Sequence, residues 1–428
     1  MRLNSKVSPL LALLVLASAA GQDELLLKDS DHRKLGKEIA GCIEAFSEGK
    51  GRIKAEEDLQ EALDKWKKKK PFKERDPLSA VNDLGACLWY ANNYDRKKVT
   101  KGKVKTYSIE TGPPFDYEFE YCVWAPSSYK AKSGPYPLIL CIPDAGQRSF
   151  DHLTEDWALG EIRDEAIIAV ISMPEDQDAW NQIGSSGSPG GLANLFTVFK
   201  EMTRNYAVDF DKVFIAGKGA GVSAALELAQ FFPDRFAGVI GRTGDAGDAS
   251  HANYRNLPVF FAGGGAKASA FAEAMESEGF AETVIQPDAG EQEVFSWIKA
   301  TKRDANPKAV TLAPKLPFPN KAYWLEVPVA EEVEGRVISA VLDTSLNQIT
   351  IEAKHVSSVT LYFNDILVDM DRPVTVICNG VKNEDLIPRS FSVMMRLIYS
   401  ARNDAGRFYT ASREYDIPQI AEEDEEEG

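Results

Sequence analysis

The chain has 428 residues, more than one ordinary hydrophobic core accommodates, and its 44% apolar and 27% charged residues are typical of a folded globular protein. The net charge of −16 is uneven, since residues 1–105 carry 22 Lys and Arg against 16 Asp and Glu. Because phosphate neutralisation needs a basic surface, this charge argues against nucleic-acid binding, and the presence of only four histidines argues against a histidine-rich metal site.

The first twenty residues have the features of a secretory signal peptide. Arg2 and Lys6 give a positively charged start, residues 10–16 form a short apolar run, and residues 17–19 offer a small-residue cleavage site. A retained membrane anchor is the alternative, although the run is short for a membrane span. We expect bacterial-type export to the periplasm or the extracellular space, with no stable membrane span after cleavage.

Residues 22–105 are predicted to form a helical N-terminal region, because apolar residues recur at three- and four-residue spacing. The repeats are Leu35, Ile39, Ile43 and Phe46, then Leu59, Leu63 and Trp66, then Leu78, Val81, Gly85 and Leu88. Asp76-Pro77 is the predicted start of the third helix. The lysine run at residues 67–70 is interpreted as a solvated helix end rather than as a site for anionic lipid or glycan.

The mature chain would keep five cysteines, an odd number whose spacings match no zinc pattern. Cys42 and Cys87 fall on predicted helices, and in an oxidising compartment such a pair can form a disulfide. That bond would stabilise the fold by about 4 kcal/mol on the chain-entropy model. Five free buried thiols are the alternative, and the sequence does not decide between the two.

Residues 106–310 alternate strand-like and helix-like segments, which predicts a mostly parallel sheet with helices on both faces. The predicted strands are residues 119–125, 138–142, 166–172, 212–216, 237–240, 259–262 and 283–286. The predicted helices are residues 192–206, 221–232 and 268–278.

Residues 320–418 are predicted to form a smaller β-rich domain. Apolar residues alternate along residues 348–353 and 359–363, and Asn379-Gly380 after the strand-like residues 374–378 is a hairpin signal. A helix is predicted at residues 391–400. Residues 419–428, which include six consecutive acids, are expected to form a disordered acidic tail.

Residues 212–221 are similar to a nucleophile elbow, in which an apolar strand runs through a glycine-rich turn into a helix. In the G-x-S-x-G form of this turn, the glycines permit a sharp bend that lifts a serine above the sheet. Gly219 holds the serine position here, so the turn carries no nucleophilic side chain.

At this point the chain resembles the α/β-hydrolase superfamily, specifically secreted esterases and prolyl-oligopeptidase-like hydrolases with a polyhydroxyalkanoate-depolymerase-type core. The segments that carry the resemblance are residues 136–146, 206–213, 232–237, 286–290 and 321–326. The resemblance implies an α/β-hydrolase-type sheet, preceded by the helical region and followed by the β-rich domain.

The resemblance also implies where a catalytic triad would lie, and the sequence departs from it. Gly219 takes the nucleophile position, Glu291 takes the histidine position, and Pro143-Asp144 replaces the His-Gly pair of the oxyanion loop. Asp245 or Asp248 is the remaining candidate for the acid. Because losing the serine alone costs a triad a factor of about 10⁶, we expect a non-catalytic pseudo-hydrolase that acts in binding or as a scaffold.

Two other hypotheses remain open. The first is an esterase or peptidase-like hydrolase with an unconventional site, formed by Ser223 with His251 and either Asp245 or Asp248. Ser223 falls one turn inside the predicted helix, which favours a structural hydroxyl. Neither His251 nor His152 holds the family's histidine position. The second hypothesis places the function in the regions that flank the hydrolase-like domain.

The glycine-rich turn lacks the residues that a dinucleotide- or phosphate-binding turn needs. Val222 stands where a dinucleotide-binding turn needs glycine, and Lys218 is not followed by the Ser or Thr of a phosphate-binding loop. We therefore expect no cofactor and no metal.

A residual anion site is a further possibility. The N–H of Ala220 is predicted to lie at a helix N-terminus, with the backbone of Ala145 and Gly146 as a second donor and Lys218 close by. A small carboxylate, an ester or a glycan-type ligand would fit such donors. The alternative is that Gly219 only relieves strain in the turn.

Overall fold

The structure is a computed structural model of the chain, and it describes residues 25–92, 98–185, 188–401 and 404–419. The predicted signal peptide at residues 1–20 and the six consecutive acids at residues 422–427 lie outside the described residues. Within the described ranges, no helix is both long and apolar enough to cross a bilayer.

Helices occur in all three predicted regions. The α-helices are α1 (Asp29–Glu48), α2 (Arg52–Lys67), α3 (Val81–Ala91), α4 (Ser149–Asp151), α5 (Gly160–Glu165), α6 (Gly191–Asn205), α7 (Gly221–Ala229), α8 (Ala266–Ser277), α9 (Glu291–Ala300) and α10 (Phe391–Ala401). A π-helical turn at His152–Asp156 follows α4 directly.

The strands form one large sheet and three smaller ones. The strands are β1 (Lys105–Glu110), β2 (Glu118–Trp124), β3 (Tyr136–Ile142), β4 (Ile167–Ile171), β5 (Gly184–Ser185), β6 (Ser188–Pro189), β7 (Val208–Lys218), β8 (Gly238–Arg242), β9 (Val259–Ala262), β10 (Thr283–Gln286), β11 (Ala309–Leu312), β12 (Lys321–Ala322), β13 (Leu325–Glu326), β14 (Val337–Asp343), β15 (Gln348–Lys354), β16 (Ser358–Phe363), β17 (Val374–Cys378), β18 (Val381–Asp385) and β19 (Ala411–Asp416).

The large sheet has the order β1-β2-β4-β3-β7-β8-β9-β10. From β4 to β10 all neighbouring strands are parallel, and β1 and β2 add an antiparallel edge. Alternate residues of β3 pack into different cores, Leu138 and Leu140 on one face and Ile139 and Cys141 on the other. The predicted fold class is confirmed, because this is a mostly parallel sheet covered on both faces, consistent with an α/β-hydrolase core.

The C-terminal part is β-rich, as predicted. A five-stranded sheet (β11-β14-β15-β17-β18) and a four-stranded sheet (β12-β13-β16-β19) share one apolar core, in which Trp324 and Phe363 are fully buried. β17 and β18 form the hairpin predicted at Asn379-Gly380, whose two turn residues both have positive φ, as a two-residue hairpin turn requires.

The N-terminal helices share their apolar core with α10. Leu35 of α1 and Leu63 of α2 belong to the same apolar cluster as Met394 and Ile398 of α10. α10 therefore joins the helical region to the β-rich region. The predicted boundaries at residues 105, 310 and 320 remain predictions.

The structure corrects the predicted start of the third helix and decides between the two alternatives for Cys42 and Cys87. Asp76-Pro77 does not start the third helix: the Asp76 carboxylate caps a short 3-10 turn by accepting the N–H of Leu78, and α3 begins at Val81. Cys42 and Cys87 are buried free thiols, as are the other three cysteines.

Candidate functional site

The candidate site lies where the large sheet reverses its strand order. β3 and β7 are parallel neighbours, while the chain continues from β3 to β4 on one side and from β7 to β8 on the other. In open α/β sheets, ligands bind at the carboxyl ends of the strands at such a point. Asp144 follows β3 and Gly219 follows β7, so both residues lie at this edge.

The turn after β7 has the strand–turn–helix geometry of a nucleophile elbow. Gly219 has a φ of 53°, in the region that favours glycine. A Cβ on Gly221 would lie 2.6 Å from the carbonyl oxygens of both Ile142 and Pro143. Glycine at 221 therefore allows the start of α7 to pack directly against the end of β3.

The Asp144 carboxylate occupies the space above this turn. Its Oδ1 accepts hydrogen bonds from the backbone N–H groups of Ala145 and Ala220, both at 2.8 Å. A Cβ placed on Gly219 would lie 2.2 Å from both Cγ and Oδ1 of Asp144. The absent side chain of Gly219 is thus what makes room for this carboxylate.

The structure brings together only two of the four residues of the predicted anion site. Ala145 and Ala220 do converge, but their N–H groups are bound by the chain's own Asp144. Lys218 donates instead to Asp156 Oδ1 at 2.7 Å, and Gly146 lies at the exposed end of the loop. An external anion would have to displace Asp144 to reach the two N–H groups.

A polar network centred on His152 lies next to the turn. His152 Nε2 accepts the indole N–H of Trp157 at 3.2 Å, so in the neutral ring Nδ1 carries the proton. Nδ1 lies 3.0 Å from Asp156 Oδ2 and 3.1 Å from Gln147 Oε1. Gln147 Nε2 in turn donates to Asp156 Oδ2 at 2.8 Å, and the Lys218 ammonium neutralises this carboxylate.

Burial sets the charge state of this histidine. His152 is 1% exposed, and burial lowers its pKa to about 4, although Asp156 partly opposes the effect. Burial alone would raise the pKa of Asp156, but its bonds with Lys218 and Gln147 outweigh this and lower the pKa. At neutral pH the network therefore holds an uncharged imidazole and a paired carboxylate.

This charge state predicts how stability depends on pH. The folded-state pKa of His152 is below its unfolded value. The stabilisation that the neutral imidazole gives the folded state is therefore complete above about pH 6.5 and falls as the pH drops toward 4. Between pH 7 and pH 5 we expect wild type to lose about 2 kcal/mol more of its free energy of unfolding than His152→Gln does. Urea unfolding at both pH values measures this difference.

His355→Gln is the control, because the His355 side chain is exposed. That variant should keep the wild-type loss of stability between pH 7 and pH 5. An identical loss in wild type and His152→Gln would contradict the assignment.

Glu291, at the position where the sequence resemblance places a histidine, makes a structural contact. Glu291 is the first residue of α9, and its Oε2 accepts the backbone N–H of Leu159 at 2.8 Å. This bond holds the start of α9 against the segment before α5. The side chain is thus engaged with the backbone rather than with a hydroxyl at Gly219.

The unconventional site is not assembled in the structure. His251 packs edge-on against Phe271, and no hydrogen bond among the described residues joins it to Ser223, which lies inside the first turn of α7. Asp245 binds the backbone N–H groups of residues 246, 267 and 268, and Asp248 pairs with Lys267.

The contacts of Asp144 with the turn are not predicted by the sequence, although one signal is present. The sequence has a carboxylate at Asp144 and no side chain at Gly219, both at positions where the predicted resemblance leads one to expect other residues. Their contact spans 75 positions of the chain, so no local pattern links them. Within the described ranges, no group of three His, Cys, Asp or Glu side chains is arranged to hold a metal ion.

No family model and no curated protein matches this chain. Solved structures similar to part of it include a thermostable esterase, with 14% identity over 47% of this chain and 63% of that chain, at a TM-score of 0.38. A ferulic acid esterase is 17% identical over 47% of this chain and 94% of that chain, at a TM-score of 0.36. A substrate-bound, fluorophosphonate-binding serine hydrolase of Staphylococcus aureus is 11% identical over 46% of this chain and 99% of that chain, at a TM-score of 0.37. At these values the neighbours do not establish an activity for this chain.

Proposed function

We propose that this chain is a non-catalytic protein with an α/β-hydrolase fold, in which the position of the reaction centre is permanently filled by the chain's own carboxylate. The observation that carries the proposal is the Asp144 carboxylate, bound by the Ala145 and Ala220 N–H groups directly above Gly219. In this role the protein acts in binding or as a scaffold.

The chemistry of acyl transfer supports this proposal. An ester hydrolase needs a nucleophile at the turn and two N–H donors that stay available for the negative oxygen of the intermediate. Here the turn presents Gly219, and both donors already bind a negative oxygen. A charged group from the protein at this place repels an anionic intermediate as well as blocking it, so residual catalysis by the donors alone is also suppressed.

The export signal predicted in residues 1–20 extends the proposal to the localisation of the protein. We place the mature protein outside the cytoplasm, where five buried thiols would be protected from oxidation by burial alone. A tagged full-length protein recovered with residues 1–20 intact from the cytoplasmic fraction would contradict this placement.

The direct test is covalent labelling with a fluorophosphonate, combined with a panel of short- and long-chain esters. We expect no labelled serine and no turnover above the uncatalysed rate, because no serine among the described residues is hydrogen-bonded to a histidine. Labelling that maps to a single serine, such as Ser223, would overturn the proposal and favour the unconventional hydrolase.

A second prediction concerns the carboxylate that fills the site. We expect Asp144→Ala to bind acetate at millimolar concentration, since a dipole and two N–H donors are worth about 4 kcal/mol at the 1 M standard state. Wild type should not bind it. Amide shifts of Ala145 and Ala220 in alanine-labelled protein report the binding, with Asp151→Ala as a control that removes a nearby carboxylate paired with Arg148. Equal shifts in wild type and in Asp144→Ala would show that Asp144 does not fill the site.

A further inference from the structure

The last strand of the five-stranded sheet is open along one side. β18 (Val381–Asp385) ends the strand order of that sheet and pairs with β17 alone in the part of the chain that the structure describes. The side chains of Lys382 and Glu384 in this strand are 59% and 55% exposed. An edge strand presents backbone N–H and C=O groups with which another strand can pair.

The register of the sheet shows which backbone groups of β18 point outward. Thr375 of β17 donates its N–H to the carbonyl of Asn347, so the odd-numbered residues of β17 bond toward β15. The even-numbered residues of β17 therefore bond toward β18, where their partners are odd-numbered residues such as Asn383. The N–H and C=O groups of Lys382 and Glu384 consequently point away from the sheet.

The order of the charges along β18 matches an antiparallel copy of the same strand. Lys382 and Glu384 lie on one face, with Lys382 Nζ 2.9 Å from Glu384 Oε2, and Asn383 lies between them. A two-fold axis at Asn383 places Lys382 opposite the partner's Glu384 and Glu384 opposite the partner's Lys382. Because these two residues also carry the outward backbone groups, one register forms both the ladder and two pairs of opposite charge. A register shifted by two residues places two lysines or two glutamates opposite each other, which is destabilising.

Exposed apolar side chains lie at both ends of this strand. Val381 is 51% exposed and Leu386 is 66% exposed. In the two-fold register Val381 is opposite the partner's Asp385, so Val381 of one copy and Leu386 of the other lie at the same end of the paired strands. Pairing would remove part of this apolar surface from water. Asp385 would not become an unpaired charge, since Arg413 of its own chain donates to its Oδ1 at 3.1 Å.

We propose that β18 pairs with β18 of a second copy of this chain, so that two five-stranded sheets join into one continuous sheet in a two-fold symmetric dimer. Charged residues on an edge strand commonly prevent such pairing. Here the lysine and the glutamate stand in an order that is complementary to itself, so the charges select one register instead of blocking all of them. A pair of five-residue strands is a small interface, and we expect a dissociation constant of about 10–100 µM.

The test is sedimentation equilibrium of the full-length protein over concentrations that span this range. We expect wild type to form dimers, and Lys382→Glu or Glu384→Lys alone to weaken them by about tenfold or more, because like charges then face each other across the axis. The matched control is the double variant Lys382→Glu with Glu384→Lys, which keeps the composition and the ion pair within the strand and reverses its order. It should dimerise within about threefold of wild type, since the reversed order is again self-complementary.

Mixing the two single variants tests the register and their folding together. The Lys382→Glu edge carries two acids and the Glu384→Lys edge carries two bases, so an equimolar mixture should form a heterodimer although each variant alone stays monomeric. A monomeric wild type throughout the range, or a dimer that neither single variant weakens, would overturn the pairing of β18. A mixture that associates no better than its components would overturn the two-fold register. None of these outcomes depends on Asp144 or Gly219.

Discussion

Gly219→Ser is expected to lower the free energy of unfolding by about 2–5 kcal/mol and to give no esterase activity. A side chain at positive φ costs about 1–2 kcal/mol, and overpacking adds about 1–3 kcal/mol. The new Cβ would lie 2.2 Å from the Asp144 carboxylate, so one of the two groups must move. Chemical denaturation of the variant measures the loss.

A matched control separates the cost of backbone strain from the cost of the clash with Asp144. Gly279 has a φ of 63°, close to that of Gly219, but a Cβ there meets no atom within 4 Å. Gly279→Ser should therefore lose only about 1–2 kcal/mol. Adding Asp144→Gly to Gly219→Ser should recover the difference between the two single variants. If the two glycine variants are equally destabilised, Asp144 does not press against the turn.

The lack of a base is the reason we expect a serine at 219 alone to be insufficient for ester hydrolysis. A serine hydroxyl is a weak nucleophile until a base takes its proton, and the Glu291 carboxylate is bonded to the Leu159 N–H. In the triple variant, Gly219→Ser supplies a nucleophile, Asp144→Gly frees the two N–H donors and Glu291→His supplies an imidazole. This variant should exceed Gly219→Ser in ester turnover. Turnover that exceeds the uncatalysed rate and is equal in the single and the triple variant would show that a base is already present.

The parts of the fold that were predicted correctly carry their information in local patterns. β9 was predicted to the residue, because an apolar run is bounded by Pro258 and Gly263. β7 begins four residues before its prediction, since polar residues at 209 and 211 interrupt the apolar pattern that marks a buried strand. α10 was predicted as a helix, but nothing local shows that its partners are α1 and α2.

The strand–turn–helix at Gly219 could be predicted from sequence, but the contacts around it could not. The elbow turn and the departures at Gly219 and Glu291 are visible in the residues themselves. The place of the Asp144 carboxylate depends on the register of β3 with β7, which pairs Ile142 with Gly217. The low pKa of His152 depends on burial, which arises only when distant elements pack.

A buried ion cluster joins the large sheet to the C-terminal region. Arg303 is 4% exposed and binds both oxygens of Asp404, at 3.0 and 2.7 Å. The same guanidinium donates to Asp211 Oδ1 and to the backbone carbonyl of Asp234. One side chain therefore connects residues from β7, the turn after α7 and the segment before β19.

Arg303→Met is expected to lower the free energy of unfolding by about 3–5 kcal/mol, since it leaves the buried Asp404 carboxylate without its partner. The adjacent Lys302 is the matched control, because its 66% exposed side chain lies 3.6 Å from Asp211, and Lys302→Met should cost only about 0–1 kcal/mol. Asp404→Asn in the Arg303→Met background should recover part of the loss, since a neutral amide is less costly to bury.

The pH dependence distinguishes a lost ion pair from lost packing. Burial alone would raise the pKa of Asp404, but the Arg303 charge outweighs burial and lowers it. In wild type this carboxylate stabilises the fold above its unfolded pKa of about 3.9, and the contribution is lost as the pH falls through the folded value. In Arg303→Met the uncompensated carboxylate favours its protonated form, so acid relieves its burial. The stability difference between the two proteins should therefore shrink from pH 7 to pH 4 in urea titrations, and a constant difference would mean that Arg303 contributes packing alone.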